Sequence, residues 1–296
     1  MSTVASFRRT FLELPQGRLG VVALGERGAP VVLLTGGGAD NALLSWRHLL
    51  PDLAADHRVF ALDWPKQGHS TPWNETADHL SLLKVVRQVL DHFAVDRASL
   101  VGLSQGGTVA LAQALTHPDR VERVVALAPG GIVPYGPIVH QLLWLTTKSP
   151  LLHTTLPTRM MRTPDRVAAM ARRALFAGPV ADFDEVVQEM FQEIQVNGAG
   201  PSEWQNTAIN AWGMDKQMWL PLEEISCPVL FLQGDKDTVV RPRHTIEAYR
   251  RVPGARLRML RGHGHVANRQ SPGLVNGLVR DFLTEAAPEA GPGTDR

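Results

Sequence analysis

The sequence predicts an α/β fold: a mostly parallel, eight-stranded sheet with helices on both faces and a helical segment inserted after the sixth strand. Three observations predict it. Continuous apolar runs such as Pro-Val-Val-Leu-Leu-Thr at 30–35 suit strands buried on both faces, as in a parallel sheet. These runs alternate with segments whose apolar residues recur at helical spacing, the βαβ signature. The alternation stops after Leu127 and resumes at Pro228, leaving a long stretch patterned as helix.

In chain order, Phe7–Leu14 and Arg18–Gly25 are β-rich runs around Pro15-Gln16-Gly17 and read as an antiparallel hairpin. Pro30–Thr35 opens the parallel part. A helical pattern over Ala42–Ala55 leads to the strand Arg58–Asp63, and Thr76–Phe93 reads as a long amphipathic helix. Ala98–Leu103, the helix Gln105–Thr116 and Val121–Leu127 complete the first half. After the interruption come a strand at Pro228–Gln233, a helix near Arg243–Arg251, a strand at Arg256–Leu260 and a last helix to Thr284. Residues 286–296, rich in Ala, Pro and Gly, read as a disordered tail.

Inside the interruption, Phe183, Val186, Val187, Met190, Phe191 and Ile194 share one helix face, and Asp184, Glu185, Glu189 and Glu193 share the other. Six of the eight methionines and four of the seven tryptophans lie in residues 131–226, more apolar surface than the main core requires. A lid over a pocket and a small subdomain with its own core both fit that composition. Trp144, Trp204 and Trp212 are the candidate substrate contacts from this segment.

Composition narrows the class. Hydrophobic residues at 44% and charged residues at 20% are ordinary for a soluble globular chain and exclude disordered, collagen-like and fibrous classes. Thirty Lys and Arg against twenty-nine Asp and Glu give a formal charge of +1, which supplies no long-range field for nucleic acid or anionic lipid. The arginine pairs at 8–9, 172–173 and 250–251 are scattered in the sequence. Cys227 is the only cysteine, so no internal disulfide forms, and its place at the head of an apolar run marks a buried structural thiol. No leader-like apolar core opens the chain and no run approaches ~18 apolar residues, so a cytoplasmic protein without a membrane anchor is expected.

The residues that carry chemistry begin at Gly102-Leu103-Ser104-Gln105-Gly106, a G-x-S-x-G match. Such a match arises by chance in roughly one chain in ten of this length, so context decides its meaning. Here it follows a buried-strand pattern and precedes a helix, the strand-turn-helix setting in which a sharp elbow lifts a serine oxygen clear of the sheet. The alternative is a tight turn with a capping serine. A serine hydroxyl needs a base within hydrogen-bond reach and a carboxylate that holds the base's tautomer. Gly234-Asp235-Lys236-Asp237-Thr238 follows the strand at 228–233, and Gly262-His263-Gly264-His265-Val266 follows the final strand. Three glycines at 36–38 invite comparison with a phosphate cradle, but no Gly-Lys-Ser/Thr follows them.

With these motifs in order, the chain from about Arg18 to Thr284 resembles the α/β-hydrolase superfamily, in its serine-nucleophile branch. The resemblance implies a core at 1–130 and 227–285, with residues 131–226 as the variable helical cap. The family's acid ends a G-x-x-D turn, which selects Asp237 and leaves Asp235 as a turn or capping residue. Its histidine begins G-H-x-x-x-x-E-x-P, which selects His265 over His263, with Gln270 in place of the glutamate. Its oxyanion hole implies backbone N–H donors on Gln105 and on Gly37, in a loop where Thr35 stands for the frequent histidine. The family's D-x-x-G-x-G-x-S loop is matched by Asp63–Ser70, with Lys66 at the first glycine.

The resemblance implies a carboxylesterase-like serine hydrolase acting through an acyl-enzyme on an ester, thioester or lactone of a small, largely apolar substrate. No cofactor and no metal are expected, and the charge balance and the lack of a long apolar run point to no nucleic-acid or membrane partner. Haloalkane dehalogenases and epoxide hydrolases of the superfamily use aspartate where this chain has Ser104. Carbon-carbon bond hydrolysis, perhydrolysis or haloperoxidase chemistry, acyl transfer and a non-catalytic small-molecule receptor stay open as alternatives.

Overall fold

Eight strands form one sheet in the order β1-β2-β4-β3-β5-β6-β7-β8 in the computed structural model, which describes residues 7–132 and 137–285. The strands are β1 (Arg9–Leu14), β2 (Gly17–Leu24), β3 (Pro30–Leu34), β4 (Arg58–Leu62), β5 (Ala98–Leu103), β6 (Val121–Leu127), β7 (Val229–Gly234) and β8 (Arg256–Leu260). Antiparallel pairing is confined to β1-β2 and β2-β4, and every later pair is parallel. All six residues of β5 and of β7 are buried. That two-sided burial is why these strands read as unbroken apolar runs rather than as alternating ones.

Between the strands lie α1 (Ala42–Trp46), α2 (Leu49–Leu53), α3 (His79–His92) and α4 (Gln105–Thr116). The single helix expected over Ala42–Ala55 is thus two. Pro51 is the reason: its ring excludes the carbonyl of Arg47 and it has no N–H to donate there, so the helix breaks at Arg47-His48. Among the described residues between β6 and β7 lie the α-helices α5 (Pro137–Thr147), α6 (Leu156–Met160), α7 (Pro164–Met170), α8 (Phe183–Asn197) and α9 (Glu203–Thr207). Then α10 (Pro242–Arg251) links β7 to β8, and the last helix divides before Pro272 into α11 (Ala267–Gln270) and α12 (Pro272–Thr284). The tail expected at 286–296 lies outside the described residues.

One apolar cluster covers each face of the sheet. Val32, Leu34, Leu100 and Val124 point to the side of α3 and α4, while Val31, Leu33, Val101 and Val125 point to the side of α1, α2 and α12. A third cluster, Val167, Ala171, Phe176, Val186, Val187, Met190 and Ile194, is built by the insertion itself around Leu44 of α1. Of the apolar stripe expected on α8, Val186, Val187, Met190 and Ile194 are buried there and Phe183 and Phe191 are half-buried against it. On its opposite face Glu193 is 6% exposed: it accepts from Gly68 N (2.8 Å), Asn41 Nδ2 (2.9 Å) and Asn197 Nδ2 (2.7 Å). Those donors meet the lone pairs that water would otherwise fill. Cys227 is buried, and burial pushes its thiol up to about 11. Among the described residues no helix is long and apolar enough to cross a membrane.

Candidate active site

The C-terminal ends of β3, β5, β6, β7 and β8 carry the loops that meet at Ser104. Ser104 itself sits between β5 and α4 at φ 52°, ψ −116°, a left-handed backbone that costs a non-glycine residue roughly 1–3 kcal/mol. The turn is held from several sides: Ser104 N donates to Leu127 O (2.8 Å), Thr108 N to Ser104 O (3.2 Å) and Thr108 Oγ1 to Gly130 O (2.5 Å). Two glycines make the turn sterically possible. A Cβ on Gly102 would lie 2.2 Å from Gly106 O, and one on Gly106 would lie 2.3 Å from Leu34 O.

His265 and Asp237 come together from the loops after β8 and β7. His265 Nδ1 and Asp237 Oδ2 are 2.8 Å apart, with the Asp237 side chain fully buried and that of His265 7% exposed. Asp237 is fixed as an acceptor: Oδ1 receives Val239 N (2.8 Å) and Val240 N (2.9 Å), and Oδ2 also receives Gln233 Nε2 (3.1 Å). With the carboxylate ionised, the shared proton sits on Nδ1, which leaves Nε2 as the free lone pair of the ring. Asp235 takes the other role, accepting Gly262 N at 2.7 Å. His263 is engaged by Arg261 O (2.7 Å) and Ser271 Oγ (2.8 Å) and stays in its own loop.

Ser104 and His265 line the same cavity, of about 330 Å³, together with Gly36–Gly38. Ser104 Oγ makes no hydrogen bond among the described residues, and neither do the backbone N–H groups of Gly37 and Gln105. The Gln105 side chain, 2% exposed, accepts from Ser202 Oγ at 2.5 Å and so ties the elbow to the insertion.

The departures from the family pattern each have a local explanation. Gln270 accepts Gly264 N (3.0 Å) and Ala177 N (3.2 Å) through Oε1 while Nε2 donates to Gly262 O (2.8 Å), a donation that glutamate lacks. Lys66 has φ 64°, the region that favours glycine, and its ammonium pairs with Glu203 of α9 at 2.7 Å. Thr35 contributes its carbonyl to Trp64 Nε1 (2.9 Å), while its buried hydroxyl bonds to nothing among the described residues.

Asp40 was not apparent as a site residue from sequence, yet it braces the glycine loop. Its Oδ2 accepts Gly36 N (2.7 Å) and Ser45 Oγ (2.6 Å), and Oδ1 accepts Asn41 N (2.8 Å). Burial nevertheless pushes its carboxyl up to about 6, against these bonds and with the help of Glu193 nearby. The available signal was an Asp-Asn pair ahead of a helix, which reads as a cap; Asn41 does cap α1. Arg269, also lining the cavity, is the other residue missed.

Of the three tryptophans, only Trp204 reaches Ser104's surroundings. It is buried, donates from Nε1 to His79 Nδ1 (3.0 Å) and lines a second cavity beside Ser104. Trp144 is half-buried under Lys148, 5.4 Å from its ring, and lines neither cavity. Trp212 corrects the expectation outright at 92% exposure: Asn210 Oδ1 accepts Trp212 N and Gly213 N in a tight turn that throws the ring outward.

A doubly wound sheet with helices on both faces and a serine on a strand-to-helix elbow defines an α/β hydrolase. The family model for the alpha/beta hydrolase fold matches residues 29–272, and the chain belongs to that family. It is 30% identical to epoxide hydrolase A of Mycobacterium tuberculosis, covering 90% of this chain and 94% of that one. Against 2-hydroxy-6-oxo-6-phenylhexa-2,4-dienoate hydrolase of Burkholderia cepacia it is 27% identical, over 87% of this chain and 88% of the other. A further relative is the dihydrolipoyllysine-residue acetyltransferase component of the acetoin cleaving system of Pseudomonas putida, 28% identical over 88% of this chain; the match spans 64% of that protein's length. In structure it is similar to the enol-lactonase from Burkholderia xenovorans LB400, with a TM-score of 0.72 at 23% identity, covering 93% of this chain and 100% of that one.

Proposed function

We propose that this hydrolase cleaves an ester, thioester or lactone of a small, neutral, largely apolar substrate through an acyl-enzyme on Ser104. The observation that carries the reading is the buried Asp237–His265 pair, whose imidazole shares one cavity with Ser104. In the reaction His265 Nε2 takes the Ser104 proton as Oγ bonds to the acyl carbon. The carbonyl oxygen becomes an oxyanion facing Gly37 N and Gln105 N, each such donor being worth about 3–4 kcal/mol. Collapse expels the leaving group, protonated by His265, and a water activated by the same ring releases the acid.

Neutrality follows from the cavity's charges. Among the described residues Arg269 is the one Lys or Arg on its wall, and its guanidinium donates to Asp182 Oδ2 (2.6 Å), Leu44 O (2.7 Å) and Glu189 Oε2 (3.4 Å). A second reading, hydrolysis of a carbon-carbon bond, is favoured by the relative named as a hydrolase of an oxo-dienoate, a compound with no ester to cleave. That substrate is a carboxylate, and a cavity whose cation is already neutralised gives it little to bind.

A fluorophosphonate probe tests the proposal. The expected result is a mass increment on Ser104 in folded protein and a drop in ester turnover on the order of a millionfold in Ser104→Ala. An unlabelled Ser104, or turnover that survives its removal, would overturn it.

A further inference from the structure

Ser104 stands between two cavities of different size and different chemistry. The larger, about 330 Å³, holds His265 and Gly36–Gly38 on its wall and is otherwise largely apolar, with Met161, Phe176 and Met190 from the insertion. The smaller, about 140 Å³, is walled by Gly130, Leu143, Trp204, Met214 and Val240, and neither His265 nor the glycine loop borders it. Gly130 keeps the passage to the serine open: a Cβ there would lie 3.5 Å from Ser104 Oγ and 3.3 Å from Val240 Cγ2.

The chemistry of acyl transfer assigns the two spaces. In the tetrahedral intermediate the acyl carbon carries four substituents: Ser104 Oγ, the oxyanion, the leaving-group oxygen and the acyl chain. The leaving oxygen must receive the proton held on His265 Nε2, so it lies on the side of the ring, and the group attached to it extends into the larger cavity. The acyl chain is the substituent left over, and the smaller cavity is the space without the base.

Resting on the serine-hydrolase reading above, we infer that the smaller cavity is an acyl subsite for short chains and that the larger one takes a bulky apolar leaving group. At about 30 Å³ for a water-sized unit, the smaller holds roughly four or five heavy atoms and the larger roughly eleven. The substrate class is therefore an acetate-to-butyrate ester of a large, neutral alcohol. A fatty-acid ester of a small alcohol is the wrong way round for this site.

Isomeric esters separate the two orientations because composition and hydrophobicity are held constant. Octyl acetate is expected to exceed ethyl octanoate in kcat/KM by tenfold or more, and with a fixed octyl group turnover is expected to fall once the acyl chain passes about five carbons. Leu143, at 37% exposure, can be shortened without opening the core, so Leu143→Ala is expected to raise kcat/KM for ethyl octanoate relative to octyl acetate by about threefold or more. Equal rates for the isomers, the reverse preference, or a ratio between them unmoved by Leu143→Ala would overturn the assignment. If Ser104 is labelled by the fluorophosphonate but both esters are inert, the subsite assignment falls and the serine reading stands. If Ser104 is not labelled, both fall.

Discussion

At Asp40 a carboxyl holds the loop whose next residue supplies a proposed oxyanion donor, and the same burial that fixes it works against its charge. Two consequences can be measured. Asp40→Ala removes the acceptor of Gly36 N and Ser45 Oγ, and a donor misplaced by ~1 Å costs about a hundredfold in rate, so kcat is expected to fall tenfold to a hundredfold with KM little changed. The carboxyl's folded pKa of about 6 stands above its ordinary 3.8, so the protonated form is the one folding favours. The stability it contributes is complete below pH 3.8 and is lost as pH rises to about 6, on the order of 1–3 kcal/mol at 1.4 kcal/mol per unit. Urea midpoints at pH 4, 5, 6 and 7 should show the native chain losing ground to Asp40→Asn over that interval and running parallel to it above. Parallel curves throughout would refute the buried carboxyl. His79 works with the opposite sign: burial holds it down at about 4 from 6.5, so it costs stability as pH falls through the same window, and the comparison with Asp40→Asn cancels it.

Between elements, the insertion is clamped to the core by charge. Arg269, 1% exposed on α11, reaches Asp182 at the start of α8 and Glu189 within it, while Arg47 and His48, just beyond α1, pair with Glu185, Glu189 and Asp182. Burial pushes the Asp182 carboxyl up, but hydrogen bonds from His48 and the attraction of Arg269 outweigh it and hold the group down at about 2. Its contribution to stability is therefore present above pH 3.8 and lost as pH falls toward 2. Removing the buried cation leaves Asp182 with His48 alone and Glu189 with Arg47 alone, so Arg269→Met is expected to destabilise by about 1–3 kcal/mol in denaturant unfolding. A loss under about 1 kcal/mol would mean that water already solvates the cluster. Helical periodicity places Glu189 and Glu193 on the face opposite the apolar stripe, with Asp184 and Glu185. That pattern sorts residues against one packing surface, whereas α8 packs against two: its apolar neighbours in the insertion, and the Asn41 and Gly68 loops of the core. Polar contacts across 80 to 152 residues leave no local trace, so the ion cluster and Glu193 stayed illegible, whereas Asp40, whose contacts lie one to five residues away, reads locally as a helix cap. The strands β3 to β7 were legible almost to the residue, because two-sided burial writes itself into unbroken apolar runs. The Ser104, Asp237 and His265 positions were legible because glycine-framed turns at strand ends carry short-range signatures.

Across the whole molecule, the residues expected to form one cap divide by what they pack on. Trp204, Met214, Met218, Leu222 and Ile225 belong to the apolar cluster that underlies the sheet, with Leu100 and Val124. Val167 through Ile194 form their own cluster around Leu44, and in Leu151–Met160 no residue is buried. Local opening follows burial, since a segment with little apolar surface removed from water gives up little when it unfolds. Amide hydrogen exchange should therefore be graded within the insertion. Residues 151–160 are expected to exchange first through local opening, 164–197 next, and 204–225 last, with rates near those of β5 and β6. Pro157 and Met161 border the larger cavity, so the fastest-opening stretch is also one of its walls and a route for a bulky leaving group. Occupying Ser104 with a fluorophosphonate that carries a long alkoxy chain should slow exchange in 151–161 and leave 204–225 unchanged. Uniform exchange across 137–225, or protection that spreads evenly on labelling, would instead make the insertion one cooperative body.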